Sequence, residues 1–320
     1  MDCEASQLHE ILGGPALITL KGKTEDHLFI SILLHGNEIT GWDAVRSLLQ
    51  KYQEQPLPRS ICLFIGNVLA AKVAQRLLPG QVDFNRIWGK AAFTESQLAK
   101  EVLTIVSELK LFAAIDVHNN TGKNPHYGCV NKLEPAFLHL ATLFSRTVVY
   151  FIRPETVMSM AMSNFCPAVT IECGQPGQAR GTQHAREYLD ACLHLSDFPE
   201  HPVAIHDVDL FHTVATVRIQ ESITTGFADD NADIELLPDI DRLNFNEIPA
   251  GTAFGRVKTD KTEVLDVRDE HGNDVSARFF EIHDNWILTR RQVMPSMLTL
   301  NLNIIKQDCL CYLMERISIK

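Results

Sequence analysis

Leu28-Phe29-Ile30-Ser31-Ile32-Leu33-Leu34 runs straight into His35-Gly36-Asn37-Glu38. An apolar run of this length, without polar alternation, suits a strand buried on both faces, as in a parallel sheet covered by helices. Two further runs end in the same way. Leu111-Phe112-Ala113-Ala114-Ile115 stops at Asp116-Val117-His118-Asn119-Asn120, and Pro167-Ala168-Val169-Thr170-Ile171 stops at Glu172-Cys173-Gly174. In such sheets ligands bind in the crevice outside the carboxyl ends of the strands. Two histidines and two glutamates delivered to that edge give three protein ligands for one zinc ion and a free carboxylate. That set fits an open, catalytic zinc site rather than a closed structural one.

Outward from these strands the pattern alternates strand and helix between about residues 15 and 195. A strand is expected near Ala16–Lys21 and another at Ser60–Ile65, after Pro56 and Pro58. Ile39–Tyr52 carries Ile39, Trp42, Val45, Leu48 and Leu49 at helical spacing. Further helices are expected over Thr94–Leu109, with Thr94 as N-cap, over Glu134–Phe144 and over Ala179–His194, with a short strand at Val148–Ile152. This alternation implies right-handed crossovers and a largely parallel or mixed sheet, an α/β fold. After Phe198-Pro199-Glu200-His201-Pro202 the character changes. Short strand-like runs at Thr213–Gln220, Thr252–Lys258, Glu263–Arg268 and Arg278–His283 are separated by turn signals, and the acidic stretch Asp229–Asp241 reads as a solvated loop. The expected organisation is an α/β domain over 1–199 and a mainly β domain over 200–320, in keeping with a chain of 320 residues.

Composition narrows the partners. A net charge of −11 speaks against a nucleic-acid footprint, which needs a basic patch or stripe. No run reaches the roughly 20 apolar residues of a membrane helix. The acidic start Met1-Asp2-Cys3-Glu4-Ala5 lacks the charged and apolar regions of a secretory signal. Eight scattered cysteines, without a Cys-x-x-Cys pair, fit free thiols and cytoplasmic residence better than a disulfide framework. Cys173 beside Glu172 is a candidate nucleophile in principle, but no base stands next to it in sequence.

Each candidate has an ordinary reading. A lone His-x-x-Glu is common by chance: His35 and His118 could be satisfied core histidines, and Glu38 could answer a helix dipole. Three matching strand ends outweigh that reading. Gly36 is expected to let the backbone bend so that His35 and Glu38 face one point. Asp116, two residues before His118, points to the same side of its strand and either fixes the histidine's tautomer or is a hydrogen-bonded strand-end carboxylate. Glu172 is the candidate general base. Asn85 and Arg86, within Asp83-Phe84-Asn85-Arg86, suit a substrate carboxylate, although an arginine stapling a loop would look the same.

With these residues assembled, the chain resembles the aspartoacylase and succinylglutamate desuccinylase branch of the zinc carboxypeptidase superfamily. His35-Gly36-Asn37-Glu38, Asp83-Phe84-Asn85-Arg86, Asp116-Val117-His118-Asn119 and Ile171-Glu172-Cys173-Gly174 carry the resemblance, in the family's order and at similar separations. It implies a mixed, mostly parallel sheet flanked by helices, followed by a β domain. It also implies that His35, Glu38 and His118 bind one zinc ion, that Glu172 is the catalytic carboxylate, and that Asn85 and Arg86 hold the substrate carboxylate. An arginine upstream of the Asn-Arg pair polarises the scissile carbonyl in the family; Arg76, nine residues before Asn85, is the nearest here. The implied activity is hydrolysis of an amide bond in a small carboxylate-bearing molecule, an N-acyl amino acid. The alternatives are a metallocarboxypeptidase acting on peptides or cell-wall fragments, and a non-catalytic small-molecule binding module. Aspartoacylases also carry an arginine shortly before the catalytic-glutamate strand, whereas no arginine lies between Arg153 and Arg180 here. Met158-Ser159-Met160-Ala161-Met162 stands there instead. As a pocket wall it would disfavour a second substrate carboxylate; the same stretch would equally serve as core.

Overall fold

The computed structural model describes residues 3–89, 94–228, 231–261 and 263–317. The chain forms two compact units. Among the described residues, one holds the chain up to Asn119 together with His126–Leu210, and the other holds Asn120–Pro125 and residues 211–317.

The first unit runs α1 (Leu8–Leu12), β1 (Ala16–Leu20), β2 (His27–Ile32), α2 (Thr40–Lys51), β3 (Ser60–Ile65), α3 (Val68–Ala71), α4 (Ser96–Ser107), β4 (Leu111–His118), β5 (Tyr127–Val130), α5 (Pro135–Phe144), β6 (Thr147–Tyr150), α6 (Met158–Met162), β7 (Ala168–Glu172) and α7 (Ala179–His194). Its strands lie in the order β1-β3-β2-β4-β7-β5-β6. The neighbours β3, β2, β4 and β7 are mutually parallel, while β1 runs antiparallel to β3 and β5 antiparallel to β7. The sheet is thus mixed and mostly parallel, as the uninterrupted apolar runs imply. Every residue of β3 and β7 is buried. From β2 the chain first crosses to β3 on one side and later returns to β4 on the other. The strand order therefore reverses between β2 and β4, the kind of switch point at which open α/β sheets bind ligands.

The two faces of this sheet differ. Gly41 in α2 lies so close to the strands that a Cβ there would meet Ile32 Cγ2 at 2.8 Å and Val117 Cβ at 3.2 Å. Helix α2 therefore covers the face carrying Ile32 and Val117. Because successive strand side chains alternate, Ser31, Asp116 and His118 occupy the opposite face. Register extends that row: Ser31 pairs with Asp116, Asp116 with Thr170, and His118 with Glu172.

Several local expectations are adjusted. Helix α4 begins at Ser96 with Glu95 as its N-cap, and no side chain caps it. Strand β6 spans Thr147–Tyr150, slightly earlier than the run Val148–Ile152. The short elements β5 and α6 escape periodicity altogether.

The second unit contains β8 (Asp209–Ile219, within which the unit begins), β9 (Thr225–Phe227), β10 (Ile234–Leu236), β11 (Ala253–Val257), β12 (Leu265–Asp269), α8 (Ser276–Phe279), β13 (Phe280–His283), β14 (Trp286–Thr289), β15 (Met294–Ser296), α9 (Leu302–Gln307) and β16 (Cys311–Arg316). Strands β13-β14-β11-β10-β9 form one sheet, and β8 pairs antiparallel with β12 and β16. Its core includes Val217, Ile234, Phe254, Val267 and Ile287. The acidic stretch is not wholly a solvated loop: Ile234 and Leu236 enter the core as β10, while Asp229 and Asp230 lie outside the described residues. Arg278–His283 is strand only from Phe280, since Arg278 and Phe279 complete α8.

Candidate metal centre

The centre begins with a strained turn. Strand β2 ends at Ile32, and the buried Leu33 takes a φ of 55°, a left-handed backbone that costs roughly 1–3 kcal/mol for such a residue. Its carbonyl accepts a hydrogen bond from Asn67 N at 2.6 Å, which pins the turn to the end of β3. The bend expected at Gly36 follows it: Gly36 and Asn37 lie in a turn closed by Glu38 N, which donates to His35 O at 3.1 Å. Gly36 is also required for close approach: a Cβ there would lie 2.2 Å from Ala71 N and 2.3 Å from Ala70 C. This contact with α3 swings His35 and Glu38 back over the sheet edge.

Glu38 bridges the two histidines. Its Oε1 lies 2.8 Å from His35 Nδ1, and its Oε2 lies 2.8 Å from His118 Nδ1. Asn119 N also donates to Oε2, at 3.1 Å. The outer ring nitrogens are held by separate carboxylates, His35 Nε2 by Asp83 at 3.0 Å and His118 Nε2 by Asp116 at 2.9 Å. All three residues of the bridge are buried, with His35 3%, Glu38 4% and His118 4% exposed.

The electrostatics follow from that burial. For His118, burial disfavours the charged ring, but the carboxylates of Asp116 and Glu38 overcome it and hold the pKa well above the ordinary value. For His35, burial and Arg76 oppose the charge, and Glu38 with Asp83 still raises the pKa. Burial alone would raise the acids, yet the paired histidines hold Glu38 far below its ordinary range, and His35 with Arg76 and Arg86 holds Asp83 well below its own.

The donor set suits a metal ion. One ligand atom from each of His35, Glu38 and His118 can be chosen so that all lie within 4.8 Å of one another. Two imidazole nitrogens and a carboxylate, with each outer Nε2 held by an aspartate, match the arrangement in which zinc ligands are oriented by carboxylates. Asp116 therefore sits where the sequence allowed it to orient His118. Asp83 does the same for His35, a role the sequence analysis missed. Its signal was its place in the segment that also delivers Asn85 and Arg86.

Glu172 ends β7 directly beside His118 in register, on the same face of the sheet, and is 8% exposed. The loops that follow are tied together: Asn119 Nδ2 donates to Gly174 O at 2.8 Å, and Gly174 has a φ of +72°, which favours glycine. Cys173 is fully buried, and burial together with Glu172 and Glu38 pushes its thiol pKa well above the ordinary value. It is a protonated interior thiol, which removes it as a nucleophile.

Three further residues reach this edge. Arg76 Nη1 lies 3.3 Å from Glu38 Oε1 and Nη2 lies 3.2 Å from Asp83 Oδ2, so its guanidinium spans the two carboxylates beside His35. Asn85 and Arg86 lie in a short 3-10 turn, Phe84–Arg86, anchored by the buried Trp88, whose ring meets Phe64 of β3 edge-on at 5.5 Å. Asn85 Oδ1 accepts from Met158 N at 3.2 Å, so an anion would meet the donor end of that amide. The same bond sets α6 beside the Asn-Arg pair. Met158 and Met162 are 0% exposed, which makes them core rather than pocket wall. Met160, half-buried, is the methionine of that segment with surface to offer.

The mostly parallel α/β unit thus brings a His-Glu-His group and a glutamate to one edge of its sheet. Residues 25–195 match the Succinylglutamate desuccinylase/Aspartoacylase catalytic domain, and the chain belongs to that family, whose members are deacylases of small molecules. Among solved structures, succinylglutamate desuccinylase from Vibrio parahaemolyticus aligns with a TM-score of 0.62 at 15% identity, covering 96% of this chain and 87% of its own. Murine aminoacylase 3 aligns with a TM-score of 0.58 at 16% identity, covering 93% and 98% respectively. The desuccinylase from Chromobacterium violaceum gives a TM-score of 0.56 at 15% identity over 90% of this chain and 97% of its own. At these identities the likeness is one of fold. No curated protein matches the chain. Among the described residues, no helix is long and apolar enough to cross a membrane.

Proposed function

We propose that this chain is a zinc-dependent amidohydrolase that removes the acyl group from a small N-acyl amino acid, with the α/β unit carrying the chemistry. The observation that carries this reading is the register of β4 and β7, which sets the candidate base Glu172 beside the candidate ligand His118 on one face. His35, Glu38 and His118 would hold the zinc ion, which would supply Lewis acidity. Arg86 and the donor end of Asn85 bind the substrate carboxylate and orient the amide. Glu172 takes a proton from the attacking water as oxygen adds to the carbonyl carbon. It then returns the proton to the nitrogen as the carbon–nitrogen bond breaks. Arg76, whose guanidinium contacts Glu38 and Asp83, is the cation that would help neutralise the developing oxyanion. The eight cysteines are all free, which suits a reducing, cytoplasmic setting.

The test is a hydrolysis screen of N-acyl amino acids with zinc-loaded protein, run beside Glu172→Gln. Turnover of at least one substrate is expected, lost in the variant while bound zinc is unchanged. Retained turnover in Glu172→Gln removes the glutamate from the mechanism. A half-buried Met160 and the absence of an arginine between Arg153 and Arg180 favour neutral or aromatic amino acids. Preferential cleavage of N-acetylaspartate or N-succinylglutamate would overturn that preference.

A further inference from the structure

Strand β5 places a tyrosine where the reaction is proposed to occur. It runs antiparallel to β7 with Tyr127 paired to Glu172, while on the other side of β7 His118 is paired to the same glutamate. Register partners on neighbouring strands project to the same face. His118, Glu172 and Tyr127 therefore form a row across three strands, with Glu172 in the middle.

The alternation of β5 supports this placement independently. A Cβ on Gly128 would meet Ala141 Cβ at 3.2 Å, so Gly128 faces α5, and Tyr127 and Cys129 face away from it. The Cys129 thiol is pushed well above its ordinary pKa, first by burial and then by the Glu172 charge, which puts Cys129 on the glutamate's side.

Tyr127 is 3% exposed. A buried phenol needs a hydrogen-bond partner, and phenylalanine would fill the same space without that demand. Directly opposed residues have Cβ atoms roughly 4.5–5.5 Å apart, which leaves the carboxylate within the span of a tyrosine side chain.

We infer that Tyr127 is a positioning residue for Glu172, its hydroxyl donating to one carboxylate oxygen so that the other stays turned toward His118 and the attacking water. This rests on the reading of Glu172 as the proton carrier and deepens it. Without the tyrosine the glutamate could rotate toward β5 and away from the ligands.

Two measurements on the zinc-loaded protein test the inference. In Tyr127→Phe, kcat is expected to fall about tenfold, the scale of one hydrogen bond to a charged group, with KM within about twofold and zinc content unchanged. An unchanged kcat, or a loss expressed as a raised KM, overturns it. The second measurement needs no turnover: unfolding of Tyr127→Phe, Glu172→Gln and the double variant, compared with the parent. Coupling is expected, with the double variant's change in unfolding constant differing about tenfold from the product of the single changes; additive effects overturn the inference. If the parent hydrolyses no N-acyl amino acid, the proposed function fails, and the unfolding cycle still decides whether Tyr127 and Glu172 interact.

Discussion

The two faces of one set of strands behave as different materials. Toward α2, the strands present Ile32, Val117 and Ile171, each with at most 1% exposure. On the other face the same strands present Ser31, Asp116, His118, Thr170 and Glu172, also buried. Both faces are buried, so the difference is chemical. The first face gains stability from removing apolar area from water. The second carries charged groups whose desolvation must be offset by partners, among them the carboxylate–imidazole contacts of Glu38, Asp116 and His118 and the Arg76 guanidinium. Buried polarity of that kind, concentrated on one face at a switch point, marks where the fold accepts a cost in stability for a site.

The comparison can be broken most severely at a ligand. His118→Ala removes one of the donors and leaves Glu38 and Asp116 buried without their shared imidazole. Purified protein should then contain no zinc, as read by metal analysis, and should have no activity. Zinc retained at the parent stoichiometry would mean that the His-Glu-His group is not the metal site. A smaller effect is expected one bond farther out. Asp116→Asn keeps the shape but weakens the acceptor that holds His118 Nε2, at 2.9 Å in the structure. Zinc affinity should fall by roughly 10- to 100-fold, measured by competition with a chelator. An affinity unchanged from the parent would return Asp116 to the ordinary reading of a strand-end carboxylate.

The same contrast explains what could be read from sequence. His35, Glu38, His118 and Glu172 stand at the ends of apolar runs long enough to register as buried strands, so their convergence follows from strand direction and the switch-point rule. Asp83 and Arg76 come together on the ligands through a loop, and no local period encodes a loop's path. Leu33 looked like one more strand residue, although its left-handed backbone begins the turn that Gly36 and Asn37 continue. Tyr127 could not be placed from sequence for a different reason. Its strand is four residues long and contains Gly128, and its meaning depends on antiparallel register with a strand far along the chain. In the second unit, β10 hides among acidic residues because three residues of alternation are too few to stand out.

The smallest expected effect comes from the face toward α2, and it sharpens the contrast most directly. Ile171 is fully buried, pairs in register with Val117, and immediately precedes Glu172. If the two faces do separate jobs, trimming Ile171 to valine should be felt as packing and not as chemistry. Ile171→Val removes one methylene, keeps the β-branched shape suited to a strand, and should cost roughly 0.5–1.5 kcal/mol of stability. Urea unfolding of the zinc-loaded protein would read that cost as a lower midpoint with an unchanged slope. Its kcat per folded molecule should stay within about twofold of the parent, because the backbone that carries Glu172 is held on both sides by β4 and β5. A normal unfolding midpoint with a tenfold loss of kcat would reverse the assignment. The apolar face would then be setting the position of the glutamate itself, and the two faces could no longer be treated as separable.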